Sequence, residues 1–178
     1  MIITFLLPKS KITKTEGRVV STGPGRTNLE TGFQYPMPVS VGEGVVYGKF
    51  DGEEIQYNGA KHAIIRDDDV LVKFPAGEDL TMDNVEVLSD SVLVKVVKKE
   101  EEEVGGILIA KTVKKTSISS IGEVVKVGPG RNAFNGVLME VDVEVGDMVK
   151  YRDFAAQEVD IQKEEFAVLR MTDLLAKF

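Results

Sequence analysis

The chain has 178 residues, a formal net charge of −7, one histidine and no cysteine. Disulfides, thiolate zinc sites, thiol nucleophiles and histidine-rich metal sites are excluded on these counts. The acidic balance, without a dense basic patch, speaks against binding a phosphate backbone, and no apolar run approaches the ~18 residues needed to cross a bilayer. Neither nucleic acid nor a membrane is expected as a partner.

The first element, "MIITFLLP" (residues 1–8), is a short apolar run with no basic segment before it. It makes a poor secretory signal, and it lacks the Arg- and Ser-rich character of a transit peptide. On this reading the sequence is cytosolic, already processed, or truncated. Next comes "GRVVSTGPGR" (17–26), which returns almost unchanged as "GEVVKVGPGR" (122–131). Further along, "VSVGEGVVYGKF" (39–50) is answered by "VEVGDMVKYRDF" (143–154), and "HAIIRDDDVL" (62–71) by "FAVLRMTDLL" (166–175). Three blocks in the same order, at spacings of 105, 104 and 104 residues, mean tandem duplication. Two copies this long are two small domains, not a solenoid.

Each copy reads as β. Stretches such as "SVLVKVV", "GEVVKVG" and "MVKYRDF" are short, rich in Val, Leu, Tyr and Phe, and separated by Gly, Pro, Asn and Asp. Apolar residues alternate at Val92, Val94 and Val96, with no helical spacing. Short strands in so small a domain predict a β-barrel, whose closure removes sheet edges. Helix is expected only as single turns near "RDDDVL" and "MTDLL". The boundary falls in "FPAGEDLTMDN" (74–84), giving a first domain at 1–76, a linker at 77–84 and a second domain at 85–178. Gly122 follows Val85 by 37 residues, whereas 16 precede Gly17. The first copy is therefore expected to lack its N-terminal strand.

The segment "KKEEEEVGGILIAKTVKKTSISS" (98–120) stands apart. Four glutamates, two glycines, an aliphatic triplet and a Lys- and Ser-rich run have the composition of a solvated loop. A bare Ile107-Leu108-Ile109 triplet there suggests a detachable anchor. Pattern alone leaves a second reading open, a β-ribbon with Gly105-Gly106 as its bulge and the triplet in the core.

In order, a Val-rich strand, acids, "GGILI", lysines, "IGEVVKVGPGR" and "VEVGDMVKY" resemble the GroES-type co-chaperonin family. The tandem copy points to the family's two-domain chloroplast form. The resemblance implies two small GroES-like β-barrels and a co-chaperonin that caps an ATP-dependent chaperonin barrel in its nucleotide-bound state. No catalysis and no cofactor are implied. It makes Gly105, Gly106, Ile107, Leu108 and Ile109 the chaperonin-binding mobile loop. In the first copy "FLLP" matches the same loop, so Phe5, Leu6 and Leu7 are the counterparts, unless "MIITFLL" serves as the missing strand. The stretches at 28–32 and 132–136 take the place of the family's roof hairpin. Assembly is expected as a homo-oligomer or as a mixed ring with a single-domain relative, and the compartment as the chloroplast, otherwise the cytoplasm. A β-barrel interaction module with no chaperonin partner is the alternative.

Remaining features read as structural. Asp67-Asp68-Asp69 is expected to be a solvated turn, since no glycine-spaced calcium loop surrounds it. His62, answered by Phe166, is expected to be a packing position, and Tyr47 and Tyr151 to be core or interface residues with a polar tip. A zinc dehydrogenase would need metal ligands and a Rossmann half, and a nucleic-acid module more than 7% aromatic residues.

Overall fold

A computed structural model of the protein describes residues 2–6, 15–48, 51–97 and 120–178. The strands are β1 (Ile2–Leu6), β2 (Glu16–Thr22), β3 (Gly44–Tyr47), β4 (Glu53–Tyr57), β5 (Ala60–Ile65), β6 (Val70–Phe74) and β7 (Glu86–Val87). There follow β8 (Ser91–Val96), β9 (Ile121–Val127), β10 (Arg131–Asn132), β11 (Leu138–Met139), β12 (Met148–Tyr151), β13 (Gln157–Ile161), β14 (Glu164–Arg170) and β15 (Leu174–Lys177). Among the described residues the one helical element is a 3-10 turn at Met171–Asp173, in the "MTDLL" stretch.

Two antiparallel sheets carry the tandem copies. The first runs β4-β5-β1-β2-β3-β6-β7 and the second β13-β14-β8-β9-β12-β15, with β10-β11 as a separate ribbon. Each sheet curls. Val70 on β6 shares one core with Ala63 and Ile65 on β5, although three strands lie between them in the sheet. In the second copy Leu174 on β15 packs against the core that holds Ala167 and Leu169 of β14, again across three strands. The alternating valines explain the curl: Val92 and Val94 point into this core while Leu93 points to the other face.

The all-β, two-unit architecture is the expected one, with one correction. The first unit does not lack its N-terminal strand, because β1 fills that place. It pairs with β2 through Ile2↔Thr22, Ile3↔Ser21, Thr4↔Val19, Phe5↔Arg18 and Leu6↔Gly17. Strand β8 pairs with β9 through Val92↔Val127, Leu93↔Lys126, Val94↔Val124, Lys95↔Glu123 and Val96↔Gly122, with the register shift at the same step. On the other side β1 meets β5 and β8 meets β14 in the same relation. Ile, Thr and Phe have the β propensity the slot asks for, and two strand edges with free N–H and C=O groups flank it. What differs is the connection. Nine residues separate β1 from β2, whereas 24 separate β8 from β9.

A third apolar cluster joins the units. Val46, Leu71, Val72 and Phe74 of the first pack with Leu93, Val159, Ile161, Phe166 and Val168 of the second, together with Val85 and Val87. Strand β7, just beyond the linker expected at 77–84, adds to the edge of the first sheet through Val72↔Val87 and Lys73↔Glu86. The two units are thus welded by a shared core and by a strand that crosses over.

Candidate functional site

The β8–β9 stem is built to present a segment between fixed ends. Its ladder runs to Val96↔Gly122, and the Val97 N–H donates to the Ile121 carbonyl at 3.1 Å. Ser120 is buried, its carbonyl accepts the Tyr151 N–H at 2.9 Å, and its hydroxyl meets the Lys150 ammonium. Gly122 carries no side chain because a Cβ there would lie 2.8 Å from the Lys95 carbonyl oxygen. Closing the stem brings the ends of residues 98–119 together in advance, so the entropy of loop closure is already met by the fold.

The first unit has the same base. Thr15 is buried, and its carbonyl accepts the Tyr47 N–H at 3.0 Å. Gln157 of the second unit reaches across to the Thr15 hydroxyl at 3.3 Å. Tyr47 and Tyr151, both in the core as expected, anchor the two bases from β3 and β12. Burial pushes the Tyr47 phenol up to about 12, helped by the Glu54 charge, and raises that of Tyr151, helped by Asp153 and Glu158. Both stay neutral at physiological pH.

The expected site residues divide. Gly105, Gly106, Ile107, Leu108 and Ile109 lie outside the described residues, as does Leu7. Phe5 and Leu6 are in β1, hydrogen-bonded on both sides of the strand.

The two expected hairpins meet each other. Asn28 folds the first, its side-chain oxygen accepting the N–H groups of Glu30 (2.9 Å) and Thr31 (3.2 Å). Gly32 and Gly136 hold the positive φ, 70° and 83°, that these turns require. The Thr31 hydroxyl donates to the Phe134 carbonyl at 3.0 Å, and the Tyr35 hydroxyl to the Ala133 carbonyl at 3.4 Å. The Phe33 ring lies where a Cβ on Gly136 would come within 2.7 Å.

The aspartate triplet does more than turn the chain. Arg26 pairs with Asp68 at 3.0 Å while stacking over Tyr35, and Arg170 of the second unit pairs with Asp69 at 3.2 Å. The Asp68 carbonyl accepts from the same guanidinium at 2.6 Å. Burial raises the Asp69 pKa, with Asp51 and Asp68 adding to it against the opposing pull of Arg170. The solvated turn is therefore a latch between units. Sequence reading misses it because Arg170 is 101 residues away. His62 is buried as a packing residue, edge-on to Tyr57 with 5.8 Å between ring centroids. Among the described residues no three His, Cys, Asp or Glu side chains are grouped to hold a metal ion.

Two curled β units in tandem, each with a stem ready to present a segment, define the class of protein. The chain belongs to the chaperonin 10 Kd subunit family, which it matches over residues 4–74 and again over 84–178. It is 32% identical over 174 residues to the chloroplastic 20 kDa chaperonin of Arabidopsis thaliana, covering 97% of this chain and 66% of that protein. The corresponding protein of Spinacia oleracea is 30% identical over 173 residues, covering 97% and 65%. The chain thus spans just under two thirds of the length of both. Half of it resembles a one-unit protein: the co-chaperonin GroES of Nitratidesulfovibrio vulgaris is 42% identical over 93 residues, 52% of this chain and 96% of that one.

Proposed function

We propose that this protein is a co-chaperonin: it caps an ATP-dependent chaperonin barrel in its nucleotide-bound state and so assists protein folding, as a binding protein that catalyses no reaction and uses no cofactor. The observation that carries this reading is an aliphatic triplet, Ile107-Leu108-Ile109, set in a polar segment whose two ends are tied to the β8–β9 stem. Gly105 and Gly106 give that segment its bend, and the triplet docks. The domains run 1–76 and 85–178 with a linker between. The names of the relatives support the chloroplast as compartment. The chain works as a homo-oligomer or in a mixed ring with a one-unit relative.

Magnitudes favour weak docking repeated many times. Burying each of three aliphatic side chains yields about 1.5–3 kcal/mol, and ordering each residue of the segment costs about 1–2 kcal/mol. Over about ten residues the two nearly cancel, so one segment binds weakly and several on one assembly bind together through effective concentration. Release then follows from a change in the barrel, not in this chain.

Replacing Ile107 and Ile109 with Ser tests the reading. Association with a nucleotide-bound chaperonin should be lost in a pull-down, while unfolding free energy changes by less than about 1 kcal/mol. A collapse of the fold would place the triplet in a core and overturn the proposal. Binding that survives in a folded variant would favour an interaction module of another kind.

A further inference from the structure

The junction inside the chain leaves its own imprint at both ends of the molecule. Strand β15 is the counterpart of β6: they pair with β12 and β3 through Val149↔Lys177, Lys150↔Ala176 and Tyr151↔Leu174 against Val45↔Lys73, Val46↔Val72 and Tyr47↔Val70. On β6 the junction buries Leu71 and Phe74, at 6% and 3% exposure; their counterparts Leu175 and Phe178 stand at 55% and 70%. The hairpins repeat the pattern. Phe33 and Tyr35 of the first face the second hairpin, whereas Val137 and Met139, which flank Leu138 as Phe33 and Tyr35 flank Gln34, are exposed. The other side of the junction is β13–β14, with Val159 paired to Phe166 and both in the shared core. Its counterpart on β4–β5 pairs Ile55 with His62, and there Tyr57 is exposed where Ile161 is buried.

We propose that Leu175 and Phe178, with Val137 and Met139, form a docking surface for the β4–β5 face of a second copy of this chain, around Ile55, Tyr57 and His62. The occupant follows from continuity with a junction already built once between two units of the same fold. The bare residues at one end are those whose counterparts the second unit covers. The bare residues at the other end are counterparts of those that do the covering. Each copy thus offers one half-junction at either end, and the contact is head-to-tail, so it propagates beyond a dimer. It differs from the internal junction in chemistry: Tyr57 and His62 replace Ile161 and Phe166, which puts polar tips where the internal contact is purely aliphatic and aromatic. The contact between chains is therefore the one that opens. This inference stands on the junction and not on chaperonin docking, so no chaperonin enters its test.

The full chain, a Leu175→Asp/Phe178→Asp variant and a Tyr57→Asp variant are compared by sedimentation velocity and native mass spectrometry, with circular dichroism as the check on folding. The expected result is an unaltered chain that assembles beyond the dimer, two folded variants that are each monomeric, and an equimolar mixture of the variants that recovers a dimer and stops there. An unaltered chain that is monomeric up to its solubility, a dimer that neither variant dissolves, or a mixture that stays monomeric would each overturn the proposal. So would a dimer of the unaltered chain that never grows, since that is the signature of a two-fold contact.

Discussion

The two units run one backbone programme with different coverage. Their central strands pair in the same registers, down to shared register shifts at Ile3/Thr4 and Leu93/Val94 and at Val46/Tyr47 and Lys150/Tyr151. Yet Phe74 is buried and Phe178 lies open, although both close an alternating strand of the same length of pattern. Strand pattern decides which face a residue takes. What lies across that face decides burial, and it is a matter of position in the tandem. The most decisive attack on this comparison is the paired truncation. Phe74→Ala should cost about 3–5 kcal/mol, as for a large aromatic lost from a packed core. Phe178→Ala should change stability by less than about 0.5 kcal/mol. Denaturant titration at low protein concentration, where self-association adds nothing to stability, reads both. Equal losses would mean that β15 is covered within the single chain, and the contrast drawn between the units would fall.

The same contrast marks what a reader of the sequence can and cannot see. Tandem copies, β class and turn positions are legible because they are local: Val-rich alternation, and Gly-Pro-Gly followed by Arg in both copies. The place of β1 is not, because Ile2–Leu6 has nothing to identify its neighbours until β2 and β5 present two open edges. The Arg26–Asp68 and Arg170–Asp69 contacts are equally hidden, since each joins residues far apart in the chain. Strand β7 is the same kind of case: two residues whose partner belongs to the other unit. For the candidate site, the aliphatic triplet is legible by its composition, whereas the pinned bases at Thr15 and Ser120 emerge only once β3 and β12 are in place.

A gentler probe asks where the two copies should behave alike. Gly25 and Gly130, the closing glycines of the repeated Gly-Pro-Gly, have φ of 97° and 105°, a region that an L side chain enters at about 1–2 kcal/mol. A Cβ on either would also strike a carbonyl oxygen, that of Tyr35 in one copy and of Met139 in the other. Gly25→Ala and Gly130→Ala should each lower stability by at least that amount, and to a similar degree. Thermal melts of the two variants side by side check it. A neutral effect in one copy alone would show that its turn relaxes in a way the other does not.

The smallest effect is also the one that most sharpens the comparison, because it isolates the latch between the units. Asp69 sits among Asp51, Asp68 and Arg170, and burial holds its pKa above the ordinary 3.8. The folded protein therefore takes up this proton at a higher pH than the unfolded chain does. Between the raised value and the ordinary one, the native state binds more protons, so the contribution of Asp69 to stability grows as pH falls and is lost as pH rises through the folded value. Asp69→Asn removes that response while keeping the shape of the side chain. Plotted against pH from neutrality to about 4, the stability of the unaltered chain relative to the variant should climb on acidification. Arg170 opposes the trend, since its charge favours the ionised carboxylate. If the unaltered chain instead lost ground to the variant in acid, the ion pair across the units would outweigh burial, and the latch would be held by charge where the geometry makes desolvation the larger influence.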